Sequence, residues 1–386
     1  MPAAYLLILN ASARYEKISS GATAKDPKIG FKWQPVNRDL TVRGTYAKGF
    51  IAPSIFNLFG PPQGNSPTFT VQQGTITSSG GGTGVNVTGQ FGGNTSELSN
   101  PALQPSESYS KTLGVVYSPK FLKGLNLSLD YYFVKQNKVG NIDYTSIYKD
   151  LNKSGAASPY ASTFIFADGS KLASNAPNQI TSTNIGGIAV AVNPAGEQYT
   201  DGLDFAVDYN VPSSMMGEAG RLNVGANTNI LFNYKFHANP TVGNNQYARQ
   251  QTGGTYGLGG ANGVLPGYAI RGYTNWGWHG YTTSLLLSYT PTVVDAGSLF
   301  AGQSKTNAKT KNGLPYEIPS FTTLDASVGY EFTGRGWYNG ISLLVGCNNL
   351  TNKTAPYIPD GNEDNTDKRT YDIIGRFYFF EMSKKF

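Results

Sequence analysis

The densest group of ionisable side chains in the 386-residue sequence is "PDGNEDNTD", residues 359–367. Asp360, Glu363, Asp364 and Asp367 fall close enough for their oxygens to hold Ca²⁺, a hard cation that takes carboxylates and carbonyls. Their order does not match the helix–loop–helix calcium loop, and a solvated loop is the competing reading. Two histidines, His237 and His279, are too few for a histidine-based metal site. The single cysteine, Cys347, has no internal disulfide partner and reads as a small strand residue. The run "SSGGGTGVNVTGQFGGN" lacks the Lys-Ser/Thr of a phosphate loop and the glycine spacing of a dinucleotide site, so it reads as a mobile loop. No spacing links either histidine to a nucleophile. The sequence therefore predicts no enzyme and calls for no cofactor.

Aromatic side chains are the better candidates for binding a small molecule. Phe56 and Phe59, with Phe69, lie in one long connection, and Tyr144, Tyr148, Tyr160 and Phe164 lie in another. Flat rings on loops stack on chelates or sugars. The alternative is that they pack each loop against itself.

What must position these loops is legible in composition and period. Charged residues are 14% of the chain, against roughly 25% in soluble domains. Tyr and Phe number 25 and 20, Gly 47, and hydrophobic residues are only 39%. The longest apolar run, "AAYLLIL", falls far short of the roughly 20 residues of a membrane helix. Alternation of period two recurs throughout, as in "GLNLSLDYYF", "DGLDFAVDY" and "TTLDASVGYEF". It predicts strands near 5–16, 26–34, 40–48, 107–118, 124–137, 198–210, 221–236, 267–277, 280–290, 320–332, 340–349 and 370–386. Short connections alternate with long ones at 49–106, 138–197, 237–266, 291–319 and 350–369. Trp33, Trp276, Trp278 and Trp337 all fall beside short turns, as an interfacial belt requires. This is the pattern of an all-β, antiparallel transmembrane β-barrel with short periplasmic turns and long extracellular loops. A net charge of +6 without any basic cluster argues against nucleic acid and suits anionic head groups.

The tail "YFFEMSKKF" fits the same scheme. Tyr378, Phe380, Met382 and Phe386 face lipid, Lys384 reaches the rim, and the odd positions face a polar interior. Leu127 and Ser128 are assigned to the lipid and interior faces respectively.

Seven segments, in order, resemble those of TonB-dependent outer-membrane receptors. They are "YAKGFIAPSIFNLF", "NPALQPSESYSKTLGVVYSP", "GLNLSLDYYF", "DGLDFAVDY" with "TTLDASVGYEF", "LLVGCNNLTNKTAPY" and "GRFYFFEMSKKF". The resemblance implies one partial barrel domain over residues 1–386, without the plug domain, supplying about twelve strands of a barrel that normally has 22. "MPAAYLLILNASA" reads as a strand rather than a secretory leader. It further implies residence in the outer membrane of a Gram-negative bacterium, among lipid and lipopolysaccharide. Its expected partners are a small-molecule ligand, the outer-membrane assembly machinery and, through the plug, the TonB complex. Phe386, with Phe380 and Tyr378, would be the assembly signal. The implied function is energy-coupled uptake of a scarce nutrient: a ferric siderophore, a cobalamin or an oligosaccharide. A passive diffusion pore and a non-transporting fragment of a truncated receptor are the alternatives.

Overall fold

A computed structural model describes residues 5–17, 23–65, 68–73, 85–90, 95–141, 147, 150–151, 154–171, 185–191, 193–237, 248–251, 255–256, 264–295, 317–358 and 365–385. Twelve strands form one antiparallel meander. In order they are β1 (Leu6–Lys17), β2 (Thr23–Gln34), β3 (Leu40–Ile51), β4 (Ser106–Tyr117), β5 (Leu125–Asn141) and β6 (Asn193–Asn210). They continue as β7 (Arg221–His237), β8 (Tyr268–Trp278), β9 (Tyr281–Thr290), β10 (Phe321–Glu331), β11 (Ile341–Asn348) and β12 (Phe377–Lys384). Each pairs with its predecessor and successor; β1 and β12 are the edges of the sheet and do not pair with each other. Helix among the described residues occurs in short pieces such as Ile55–Phe59 and Ser213–Met216.

All twelve expected strands are present, and the register turns their alternation into two continuous faces. Leu40, Tyr117, Leu127, Val207, Ala226, Gly272, Leu287 and Leu324 form one row across β3–β10. Three residues further along, Arg43, Gly114, Asp130, Asp204 and Asn229 form a row on the opposite face of β3–β7. The first face is apolar and open to its surroundings, with Leu113, Val345 and Phe380 all exposed. The second is polar. This is what a transmembrane sheet with a lipid face and an aqueous face requires.

Two strands depart from the expected alternation. Between β6 and β7 the register shifts: Asp201 pairs with Asn233 but Gly202 with Leu231, leaving Phe232 as an extra residue. A bulge reverses parity beyond it. Tyr234 therefore comes to the polar face, where its hydroxyl lies 3.5 Å from Gln198 Oε1. The last strand begins at Phe377 rather than 370, because Tyr371 is drawn out of line into a buried loop core. On β12 the odd positions are not uniformly polar: the Phe379 ring lies over Gly346, where an added Cβ would sit 2.1 Å from it.

The rim of short connections is set by backbone geometry. His279 and Gly280, at φ 44° and 85°, close the two-residue hairpin between β8 and β9, a turn that needs positive φ at both positions. Trp276 and Trp278 stack at 6.0 Å and donate their indole N–H groups to the carbonyls of Ala219 and Glu218 at 2.7 and 2.8 Å. Tyr281 and Tyr330 continue the aromatic belt. Lys384 Nζ donates to the Trp337 carbonyl on the same rim.

Candidate functional site

The opposite rim carries the long connections, and they pack into two units. The first joins the connections after β3 and β5. Ser54 Oγ accepts the Asn57 N–H at 3.0 Å and caps the helical turn Ile55–Phe59. The Asn57 carbonyl then accepts the Asn100 N–H at 2.8 Å, and Asn100 Oδ1 accepts the Ala102 N–H at 3.0 Å. Leu58 and Leu103 are buried. The "APSIFNLF" and "NPALQP" segments thus touch each other, and the Ser54 and Asn100 side chains hold the turns on either side of the contact. Buried Leu58 leaves Phe56 and Phe59 facing out, 45% and 64% exposed.

Four short strands, Phe164–Phe166, Ile185–Ala191, Thr95–Leu98 and Gln63–Asn65, tie this segment to the connection after β5. Phe164, expected among the ligand-facing aromatics, is fully buried and meets Phe166 edge to face at 5.0 Å. Tyr160 is half-buried, and its carbonyl accepts the Thr163 hydroxyl at 2.9 Å. Tyr144 and Tyr148 lie outside the described residues. Part of the glycine-rich run is a strand: Val85–Gln90 pairs with Thr68–Gln73, which holds Phe69.

The second unit joins the connections after β7, β9 and β11. Val264, Val293, Ile318, Phe321, Ile358 and Tyr371 share one buried core, with Phe321 and Tyr371 edge to face at 5.4 Å. Asp367 closes it. Its Oδ2 accepts the Val264 N–H at 2.8 Å and its Oδ1 the Arg369 N–H at 3.1 Å. The Asp367 carboxylate is buried and ties two loops. Asp360, Glu363 and Asp364 lie outside the described residues, among which no cluster of three metal-ligating side chains occurs. The Tyr371 hydroxyl has no hydrogen-bond partner among the described residues. Burial pushes it well above the usual tyrosine range, and the Asp367 charge acts in the same direction.

The "CNNLTNK" segment opens this unit. Asn349 takes φ 51°, a left-handed conformation that asparagine tolerates, and turns the chain off β11. Its amide donates to the Lys353 carbonyl and accepts the Lys353 N–H, both at 2.8 Å. The neighbouring N–H of Asn349 itself reaches Asp325 Oδ1 at 2.7 Å. Conformation explains this motif without any ligand.

Below the loops, the polar face carries groups that no spacing in the sequence links. Arg43 reaches across β4 to Asp130 on β5 in a two-pronged ion pair at 2.9 and 2.6 Å. Gly114 lies between them, and a Cβ there would stand 1.8 Å from Asp130 Oδ1. The Tyr273 hydroxyl crosses Gly225 in the same way and donates to Asp208 Oδ2 at 2.9 Å. Asp208 also accepts from Asn210 and Asn223. The available sequence signal was a glycine where the alternation expects a polar side chain. Tyr378 and Phe380, of the expected assembly signal, stand exposed on the apolar face, and Phe386 is outside the described residues.

The sequence profile of the family described as "TonB dependent receptor-like, beta-barrel" matches residues 5–350. Among solved structures, the siderophore receptor PirA from Acinetobacter baumannii is similar at 15% identity and a TM-score of 0.58, over 98% of this chain and 43% of that one. A mutant of the ferric enterobactin receptor PfeA from Pseudomonas aeruginosa is similar at 13% identity and 0.55, over 100% and 43%. The outer membrane transporter YddB from Escherichia coli is similar at 10% and 0.55, over 98% and 43%. These likenesses establish the fold, and the chain spans 43% of each of these structures' length. None of the curated proteins matches in sequence.

Proposed function

The chain belongs to the TonB dependent receptor-like β-barrel family, whose members are outer-membrane proteins, and from that premise we propose that it is the ligand-capturing part of a nutrient receptor. The ligand is a ferric siderophore, the class named for PirA and PfeA, taken in preference to a cobalamin or an oligosaccharide. Uptake is energy-coupled through TonB in the complete protein. One observation carries this reading: the long connections of one rim pack into buried cores, yet Phe56 and Phe59 are held outward on a capped helical turn. Ordered loops with exposed rings are suited to stacking on a flat chelate.

The test is binding by the full chain folded in detergent micelles, read by quenching of intrinsic fluorescence. Ferric enterobactin should bind more tightly than cyanocobalamin or a malto-oligosaccharide. Phe56→Ala with Phe59→Ala should weaken it roughly tenfold, the loss of one or two aromatic contacts at about 0.5–1.5 kcal/mol each. Equal affinity of the double variant sinks the assignment of these rings. Steady ion conductance in planar bilayers without any ligand binding favours the diffusion pore instead.

A further inference from the structure

The rim of short connections, opposite the loops, holds an open cavity. Its volume is about 540 Å³, within the roughly 300–1,000 Å³ of small-molecule sites. It lies between the connection from β6 to β7, the β8–β9 hairpin and the end of β10. Glycines keep its walls close together. Gly220 takes φ 92°, and a Cβ there would stand 2.1 Å from the Gly277 carbonyl oxygen. Gly280 takes φ 85°, and a Cβ there would stand 2.8 Å from the Glu331 carbonyl oxygen.

The cavity wraps the end of the hairpin, so it has a side of rings and a side of charges. Trp278 pairs with Tyr281, and Tyr281 with Tyr330, on the apolar face. The Trp278 and Tyr281 rings stack at 6.4 Å. The Trp278 indole N–H donates to the Glu218 carbonyl at 2.8 Å, which fixes the ring against the turn. Arg221 and Glu331 belong by register to the polar face. Glu331 is taken by Lys385 at 3.2 Å. Glu218 and Arg221 make no ion pair among the described residues. They are three residues apart and opposite in charge, yet they do not pair with each other. Gly220, at φ 92° and ψ −144°, comes between them in a conformation that only glycine readily adopts.

Charges on turns are ordinarily solvated, which is the bland reading. Solvation alone does not call for an unpaired cation, an unpaired carboxylate and stacked rings on the walls of one cavity. We propose that this cavity binds an α-amino-acid zwitterion, a ligand whose ammonium and carboxylate share one carbon. Arg221 donates to the carboxylate in the two-pronged geometry that a guanidinium favours. Glu218 accepts from the ammonium, which the Trp278 ring also attracts. The short turns face the periplasm. There such a group is carried by the diaminopimelate of cell-wall stem peptides and by free amino acids.

The test uses the full chain in detergent micelles and equilibrium dialysis. The probes are meso-diaminopimelate, pimelate, which lacks the ammonium groups, and cadaverine, which lacks the carboxylates. Diaminopimelate should bind roughly tenfold more tightly than either. Arg221→Gln should weaken its binding roughly tenfold and Glu218→Gln about threefold. Both variants leave every ion pair of the described residues in place. Arg38→Gln, on the β2–β3 turn, should change nothing. Cosedimentation of the chain with purified cell-wall sacculi, competed by diaminopimelate, supports the stem peptide as the source of the ligand. Binding of free diaminopimelate without cosedimentation supports a soluble amino acid. Equal affinity for the three probes, parent affinity in both Arg221→Gln and Glu218→Gln, or an equal loss in Arg38→Gln overturns the proposal.

Discussion

The two faces of this sheet are one residue apart in sequence and follow different rules. On the apolar face a side chain needs only to be apolar, because lipid adapts to its shape. Leu127, Val207 and Ala226 occupy one row although they differ in size. On the polar face fixed partners are joined across an intervening strand, and the strand between must supply a glycine. Arg43, Gly114 and Asp130 are one such set, and Asp208, Gly225 and Tyr273 another. The apolar face is thus specified by composition and the polar face by particular pairings.

The largest effect that tests this contrast is a charge. Leu127→Arg places a cation in the apolar band and should cost about 2–4 kcal/mol near the midplane, measured by urea unfolding in bilayers. Ser128→Arg points to the polar face, where Ser128 and its register neighbours Val116 and Ala206 are all partly exposed, and should cost far less. If the two cost the same, or Ser128→Arg costs more, the assignment of faces fails.

A smaller effect reverses the order of tolerance. Gly225→Ala adds one methyl, but its Cβ would lie 2.4 Å from the Tyr273 ring and 2.7 Å from the Val207 carbonyl oxygen. Overpacking of that kind costs about 1–3 kcal/mol. Its neighbour Ala226, on the apolar face, should accept valine within about 0.5 kcal/mol. An equal cost at both positions would mean that lipid packing is as specific as the polar pairings.

How much was legible follows from the same distinction. All twelve strands and the Trp belt could be read, because alternation and interfacial preference are local. The bulge at Phe232 could not, since parity depends on what β6 does opposite it, and Tyr234 consequently sits on the other face. The start of β12 was set too early because Tyr371 packs against Val264, Val293 and Phe321, residues distant in the chain. Asp367 looked like one of four cation ligands, but its two oxygens serve backbone amides of Val264 and Arg369. Phe164 looked like a loop aromatic and lies in a loop core, whereas Phe56 and Phe59, from the same reasoning, are exposed. Residue type marked which side chains have the chemistry to bind; which of them point outward is a property of the packed loops.

The finest test removes a single hydroxyl from each face. Tyr273→Phe keeps the ring over Gly225 and deletes only the donor to Asp208 Oδ2. Asp208 retains Asn210 on Oδ1 and Asn223 on Oδ2, so its carboxylate is not left unpaired. The cost should therefore be the net worth of one hydrogen bond to a charged group that keeps other donors, about 1 kcal/mol, and not the larger penalty of an orphaned charge. Tyr209→Phe makes the same chemical change on the apolar face, where the hydroxyl meets only the Met215 sulfur at 3.5 Å. Sulfur is a weak acceptor, so this variant should be indistinguishable from the parent. Both are read as midpoint shifts at constant denaturant slope, which separates a lost bond from a change in the unfolded state. A larger shift in Tyr209→Phe than in Tyr273→Phe would mean that interfacial anchoring, not the cross-strand pairings of the polar face, sets the fine stability of the sheet.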